Sequence, residues 1–174
     1  MIETLDAAAT ETAIPALARI LHACVHGGAS VGFILPFSEA DAAAWWRGAV
    51  LPGVASGERV LLVARDGERI IGTAQLVPAG MPNQTHRADV SKVLVHPDAR
   101  RRGVARALMQ RLEAIALERG RILLVLDTVA NSPSQPLYAG LGYHLAGVIP
   151  HYARAALHPA LEPTAVMWKA LTAG

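Results

Sequence analysis

One segment of the chain decides its fold: Val93-Leu94-Val95-His96-Pro97-Asp98-Ala99-Arg100-Arg101-Arg102-Gly103-Val104-Ala105-Arg106-Ala107-Leu108. An apolar strand leads into a Pro-Asp turn, and a basic bend with one glycine then opens into an amphipathic helix. A helix that begins in this way presents free backbone N–H groups and the positive end of its dipole. Gly103 and Ala105 keep the approach clear of bulky side chains. The segment therefore predicts a pocket for a phosphorylated ligand.

The composition indicates a folded protein. Of the 174 residues, 52% are apolar and 17% are charged, which excludes a disordered chain. The length favours a single domain over residues 1–174. A formal net charge of +2 does not predict nucleic-acid binding, because the run Arg100–Arg102 is one basic cluster and not a basic stripe.

Three features predict a cytoplasmic protein. The longest aliphatic run, Ile122–Leu126, has the length of a strand and not of a membrane span. Glu3 and Asp6 stand where a secretory signal would be basic. The single cysteine, Cys24, can form no internal disulfide and is expected to be a small buried apolar residue. No spacing of His, Cys and Asp in the chain fits a metal site, so we expect none.

Apolar periodicity and turn residues predict the elements. Helices are expected at Thr12–Val25, at Val104–Arg119 and at Ser134–Leu141. A further helix is expected after a cap at Ser38; it includes Trp45 and Trp46 and ends around Pro52 to Gly57. Strands are expected at Ile2–Leu5, Arg59–Arg65, Ile70–Val77, Arg87–His96, Leu123–Thr128, Tyr143–Ile149 and Thr164–Ala170. This order predicts an α/β fold with a mixed central sheet and helices on both faces.

The basic bend resembles a known family motif. Arg100-x-x-Gly103-x-Ala105 matches the pattern Arg/Gln-x-x-Gly-x-Gly/Ala of the acyl-CoA pyrophosphate loop in the GNAT superfamily of N-acetyltransferases. The segment Leu137–Tyr143 resembles the family's aromatic-Tyr-x-x-x-Gly-aromatic stretch, with leucine before Tyr138. A Rossmann dinucleotide site would need three glycines early in a βαβ unit, and this bend has one. The resemblance implies the GNAT fold, whose mostly antiparallel sheet is splayed at the two cofactor strands.

Other segments resemble one branch of that superfamily, the tabtoxin-resistance type, whose enzyme acetylates a small β-lactam antimetabolite. They are Val25–Phe33, Leu126–Thr128, Pro150 with Tyr152, and Leu157–Pro159. Against that branch this chain carries extra residues at Ala160–Pro163.

The resemblance implies acetyl-CoA as cosubstrate and assigns residues to it. Backbone groups of one strand would hold the pantetheine arm and polarise the thioester carbonyl, and main-chain N–H groups of the loop would bind the pyrophosphate. Asn131 follows the next strand where many members place a CoA-contacting asparagine, although a turn former explains it equally well. The implied cofactor-binding residues are Val93, Leu94, Val95, Arg100, Arg101, Arg102, Gly103, Val104, Ala105, Arg106 and Asn131.

Acetyl transfer to an amine needs a proton donor for the leaving thiolate and an acceptor for the amine's proton. Tyr138 matches the family tyrosine and is the predicted general acid, the alternative being a buried aromatic residue. Asp127 and Asp89 are the predicted base candidates, because a carboxylate on a buried strand is costly unless it is paired or used. His26 and His96 are rival bases. The predicted substrate-binding residues are His26, Gly27, Phe33 and Tyr152.

Three functions remain open from sequence alone. The first is acetylation of a small-molecule amine, an amino-acid-like toxin or antibiotic being one candidate. The second is acetylation of a protein or peptide amine, and the third is acyl-CoA binding without catalysis. The first is favoured because the loop Gly27–Phe33 and the segment Tyr152–Pro163 are able to enclose a small pocket. A homodimer is expected by family analogy alone.

Overall fold

The computed structural model describes residues 1–172, and it contains seven strands. They are β1 (Ile2–Leu5), β2 (Val60–Asp66), β3 (Arg69–Pro78), β4 (Arg87–Val95), β5 (Leu123–Val129), β6 (His144–Arg154) and β7 (Leu161–Ala170). All seven form one sheet in the order β1-β2-β3-β4-β5-β7-β6. Every neighbouring pair is antiparallel except β4 and β5, which are parallel. The predicted mixed, mostly antiparallel sheet is confirmed.

Helices cover both faces of the sheet, as predicted. The helices are α1 (Ala7–His26), α2 (Glu39–Trp45), α3 (Leu51–Ala55), α4 (Val104–Glu118) and α5 (Ser134–Ala139). A hydrophobic core lies on each face of the sheet, and alternate residues of β2 belong to one core or the other, because successive side chains of a strand point to opposite faces. Leu61 and Val63 pack under α1 to α3, whereas Leu62 and Ala64 pack under α4 and α5. No helix within residues 1–172 is both long and apolar enough to cross a membrane.

The predicted boundaries of the first two helices were wrong. Helix α1 begins at Ala7, five residues before the predicted start, because the Asp6 carboxylate accepts a hydrogen bond from the N–H of Ala9 at 2.8 Å. The predicted cap at Ser38 is confirmed, since its hydroxyl accepts from the N–H of Asp41. The second helix is not continuous to its predicted end, because a wider π turn at Trp46–Val50 separates α2 from α3.

The last two strands are longer than predicted. Strand β6 continues to Arg154, and β7 begins at Leu161. The pairing of these strands shifts between Ile149 and Ala153, so β6 passes through an irregularity that the alternation pattern did not indicate. Most of the segment that looks like an insertion against the tabtoxin-resistance branch is therefore part of β7.

A cleft opens where β4 and β5 separate. Their pairing starts at Arg87 with Leu123 and ends at Asp89 with Val125. Strand β4 also contains a bulge, since it advances from Ser91 to Leu94 while β3 advances by one residue fewer. Lys92, inside the bulge, has φ +49°. The splay predicted from the family resemblance is confirmed, and it lies directly before the basic loop.

Gly72 lets β3, β4 and α4 meet closely, and its replacement gives a first prediction. A Cβ at Gly72 would lie 3.0 Å from the carbonyl oxygen of Leu94 and 3.0 Å from Cγ1 of Val104. We expect Gly72→Ala to lower the free energy of unfolding by about 1–3 kcal/mol, because overpacking forces the backbone to shift. Urea denaturation measures the change. Gly147→Ala is the control, since a Cβ on that strand glycine meets no atom within 4 Å. Equal urea midpoints for the two variants would contradict the prediction.

Candidate active site

The basic loop carries free backbone donors at the start of α4. Arg101 and Gly103 have φ +60° and +77°, and these left-handed residues turn the chain sharply into the helix. Gly103 is the N-cap and offers no side-chain hydrogen bond, and the first turn of α4 holds no acidic residue. Because the first N–H groups of a helix have no partner inside it, the N–H groups of residues 104–106 point toward the loop. This end of α4 suits an anion such as a pyrophosphate.

Most of the loop arginines are already bound to the protein. Arg102 donates to the carboxylate of Asp66 at 2.9 Å, and Arg106 donates to the carbonyl oxygen of Gly140 at 3.2 Å. Arg100 donates to the carbonyl oxygen of Val95 and lies 3.9 Å from the sulfur of Cys24, which is buried as expected. Arg101 is exposed and forms no hydrogen bond or ion pair within residues 1–172. The loop's backbone N–H groups, and not most of its arginines, are therefore available to a ligand.

Strand β4 leaves one of its edges open to the cleft. Leu94 pairs with Thr73 of β3 and is buried, while Val93 and Val95 pack against the core under α4. On the other side, β5 pairs with β4 no further than Asp89. Backbone groups of residues 90–95 that face β5 therefore have no strand partner, as a ligand-binding edge requires.

Asn131 lies at the carboxyl end of β5, on the wall of an open cleft of about 410 Å³. Its φ of +61° and the hydrogen bond from its N–H to Oε1 of Gln135 at 2.7 Å show that it forms a turn. Asn131 is thus a turn former, which was the alternative explanation, and the predicted cofactor contact stays a prediction. The residues that line the cleft are Asn131, Ser132, Gln135, Pro136 and Ala139.

Tyr138, on α5, is a buried phenol close to a carboxylate. Its side chain is 7% exposed, and burial together with the nearby charge of Asp127 raises its pKa to about 12. The hydroxyl therefore keeps its proton through the neutral range and can donate it. The ring of Tyr143 packs edge-on against Tyr138 with centroids 5.9 Å apart, and burial beside Glu113 raises the pKa of Tyr143 as well.

The two predicted base candidates lie in different surroundings. Asp89 is bound by its strand neighbour, since Nη1 of Arg87 donates to its carboxylate at 2.6 Å. Asp127 forms no ion pair within residues 1–172, and the hydroxyl of Thr164 lies 3.3 Å from its Oδ2. Asp127 is also exposed in the splayed cleft and is not the buried carboxylate that the sequence predicts. Of the two acids, Asp127 is therefore the one free to receive an amine.

Comparison with known proteins decides the family. Residues 19–143 match the sequence profile of the Acetyltransferase (GNAT) family. The chain belongs to the GNAT family. An uncharacterized N-acetyltransferase of Azospirillum brasilense, from the hisH-hisA intergenic region, is 34% identical over 115 residues. That match covers 64% of this chain and 66% of the relative, so the chain spans just under two thirds of the relative's length.

Solved structures share the GNAT fold over nearly the whole chain. An N-acetyltransferase from Staphylococcus aureus Mu50 has a TM-score of 0.82 at 20% identity, with 99% of this chain and 98% of that one covered. The protein yncA from Salmonella typhimurium, solved with its cofactor acetyl-CoA, has a TM-score of 0.75 at 20% identity, with 100% and 95% covered. At these identities the likeness shows the fold alone.

The predicted substrate-binding residues are spread over several elements of this GNAT fold. Nε2 of His26 is 2.8 Å from the carbonyl oxygen of Phe37, which ties the end of α1 to the following loop. Gly27 ends α1, and its N–H donates to the carbonyl oxygen of Ala23. Tyr152 is 55% exposed on the edge strand β6. Phe33 stacks on Phe37 and meets Trp45 edge-on. His26 and Gly27 thus have structural roles here.

Lys92 lies in the bulge of β4 beside the cleft, and it was not singled out from the sequence. Its Nζ lies 5.1 Å from the ring centroid of Trp45 and 5.8 Å from that of Phe33, so Phe33 takes part in the same cluster. Burial lowers the pKa of Lys92, and the charge of Asp127 partly opposes that effect. The one available signal was a lysine directly before the apolar end of β4, Val93–Val95. No group of three or more His, Cys, Asp or Glu side chains that could hold a metal ion occurs in the described part of the chain.

Proposed function

We propose that this protein transfers the acetyl group of acetyl-CoA to the amine of a small molecule. The proposal rests on the N-terminus of α4, where Gly103 provides no side chain to cap the helix. This N-terminus follows the splayed strands of a chain that belongs to the GNAT family. The free N–H groups fit a pyrophosphate, and the open edge of β4 fits the amide groups of a pantetheine arm.

The chemistry requires one bond to form and one to break. The amine nitrogen attacks the thioester carbonyl carbon, the C–N bond forms and the C–S bond breaks. Asp127 holds the incoming ammonium and accepts its proton, directly or through water, which frees the nitrogen lone pair. Tyr138 gives its phenolic proton to the departing thiolate and takes back the second proton that the nitrogen loses as the amide forms, so the phenol is restored and CoA leaves as the thiol. The raised pKa of about 12 keeps the phenol protonated before this transfer. Backbone N–H groups of β4 polarise the carbonyl oxygen.

The substrate side of the proposal takes up the resemblance to the tabtoxin-resistance enzyme. The acceptor in this view is an amino-acid-like toxin or antibiotic, and the activity a form of resistance. Two observations support this view: Asp127 lies within one of the resembling segments, and its charge acts on the phenol of Tyr138. The cytoplasmic location, the single domain over residues 1–174 and the homodimer stay predictions.

Acetyl-CoA should raise the melting temperature of the protein through its binding to the α4 loop. At a hundredfold excess over Kd the stabilisation is about 2.7 kcal/mol, roughly 5–10 °C in a protein of this size. Gly103→Glu is expected to abolish this shift, because it places a carboxylate where the pyrophosphate binds. Differential scanning fluorimetry with and without acetyl-CoA measures it.

Gly57→Glu is the matched control for that experiment. Gly57 also has φ +77° and open space around its Cβ position, so both variants carry a similar backbone penalty. The Gly57 variant should keep the full acetyl-CoA shift. A folded Gly103→Glu variant with an unchanged shift would remove the loop from the cofactor site.

A further inference from the structure

Lys92 is a cation for which the described residues provide neither a hydrogen-bond acceptor nor an oppositely charged partner in an ion pair. Within residues 1–172 it forms no hydrogen bond and no ion pair. The side chain is half-buried, in a bulge of β4 where the strand turns away from β5. The half-buried ammonium of Lys169, by contrast, is paired with the carboxylate of Glu113 at 2.6 Å. An unpaired, partly desolvated ammonium is costly, which marks the position as a candidate for ligand binding.

The aromatic rings beside Lys92 fix its position but do not satisfy its donors. Trp45 and Phe33 each offer a ring face within 6 Å of Nζ, the distance at which a cation is attracted to a π system. An ammonium has three N–H donors, and a ring face accepts none of them as an oxygen would. The backbone of Gly32 also comes close, since a Cβ there would be 3.9 Å from Nζ. The ammonium is therefore held in place with its hydrogen-bonding capacity free.

A second cation strengthens the positive potential on this side of the cleft. Arg59 lies near enough to Lys92 to disfavour its charged form, and Arg59 itself forms no ion pair in the described range. Its guanidinium donates to Oε1 of the buried Gln75 at 2.6 Å. The carboxylate of Asp127 lies on β5, and its charge acts on both Lys92 and Tyr138. The cleft thus presents a cation and an anion on the two strands that separate.

We propose that Lys92 binds a carboxylate of the acceptor, so that the substrate is a free amino acid or a close analogue with both an ammonium and a carboxylate. This inference rests on the proposed acetyl transfer and specifies its substrate class. Asp127 receives the amine, Lys92 receives the carboxylate, and the ring of Phe33 borders the acceptor's side chain. A peptide N-terminus lacks the adjacent carboxylate, so it leaves Lys92 unpaired and is disfavoured.

Matched acceptors test the inference with the full chain. Standard L-amino acids are compared with their carboxamides, which keep the α-amine and replace the carboxylate by a neutral group. Acetyl-CoA-dependent release of CoA gives kcat and KM for each pair. The wild type is expected to favour the amino acid at least tenfold in kcat/KM, although its amine is the more basic and thus the less often unprotonated. Lys92→Met should lose the preference through a higher KM, and Lys92→Arg should keep a part of it.

A control variant tests whether the preference for a carboxylate depends on Lys92 or on positive charge in general. Arg111→Met removes a positive charge from the outer face of α4 and should leave the preference unchanged. Equal rates with acids and carboxamides, or an unchanged preference in Lys92→Met, would overturn the role of Lys92 while acetyl transfer stands. Turnover with carboxamides or peptides alone, or with no amino acid at all, would overturn the substrate class. If acetyl-CoA did not raise the melting temperature of the wild-type protein, the proposed function itself would be contradicted.

Discussion

Tyr138→Phe is expected to lower kcat by about 10²-fold, the usual size of a general-acid contribution. The substitution removes one oxygen from a buried ring and leaves the packing of α5 otherwise unchanged. Without the phenol, the departing thiolate must take its proton from water, which the buried site supplies poorly. The thermal shift caused by acetyl-CoA should stay as in the wild type, because the loss is in the chemical step. Steady-state kinetics at saturating acceptor measure the effect.

The neighbouring Tyr143 provides the matched control. It is another buried tyrosine, its ring packs against that of Tyr138, and the same substitution to phenylalanine removes one hydroxyl. Tyr143→Phe should keep the wild-type kcat, since this hydroxyl lies beside Glu113. Because the pKa of Tyr138 is raised to about 12, ionisation of this phenol should not limit the wild-type rate at mildly alkaline pH. Equal kcat values for Tyr138→Phe and Tyr143→Phe would return Tyr138 to a packing role.

Asp127→Asn is expected to reduce kcat/KM by about 10²-fold or more while acetyl-CoA still binds. The asparagine amide keeps the size of the side chain but cannot accept the proton of the ammonium, and it no longer attracts a cation. A weakly basic acceptor, which is largely unprotonated at neutral pH, should lose less activity than a strongly basic one. The acidic limb of the pH–rate profile should also change. CoA release assays over a pH series give both quantities.

Asp89→Asn separates a specific role of Asp127 from a general loss of negative charge near the cleft. Asp89 lies on the adjacent strand and is neutralised by Arg87, so its replacement should cost far less activity. If both asparagine variants kept wild-type rates and pH profiles, neither acid would be the base. Water or a histidine would then accept the proton, and the proposed binding of acetyl-CoA at the α4 loop would be unaffected.

Local sequence patterns predicted the shape of the loop before α4, because the residues that form it are contiguous in the sequence, and their contact with acetyl-CoA stays a prediction. Gly103, the turn before it and the helix after it occupy one short segment, and the structure shows the left-handed glycine and the uncapped helix start. The ion pair of Asp89 was also readable in principle, since Arg87 precedes it by two residues on the same strand face.

The cluster of Lys92, Phe33 and Trp45 was not predicted, because contacts between residues that are far apart in the sequence create it. The bulge at Lys92 depends on how β4 aligns with β3, and no local pattern fixes that register. Trp45, half-buried on α2, reaches Lys92 only because the loop before α2 folds back over the sheet. The N-cap of α1 at Asp6 was missed for a simpler reason: the first helical residues, Ala7–Thr10, include none of the large apolar residues that mark the buried face of a helix.

The short pairing of β4 with β5 has a consequence for the molecule as a whole. Three residue pairs hold strands β1 to β4 to strands β5, β7 and β6, so the sheet has a seam across its middle. In the proposed binding mode, a donor molecule in that seam would take the place of a missing length of strand, and its amide groups would form the backbone hydrogen bonds that the two strands do not make with each other. Binding of the donor in this mode would thus also complete the sheet, and the contact would depend on the backbone of Val93 and Val95 while their side chains pack against the core under α4.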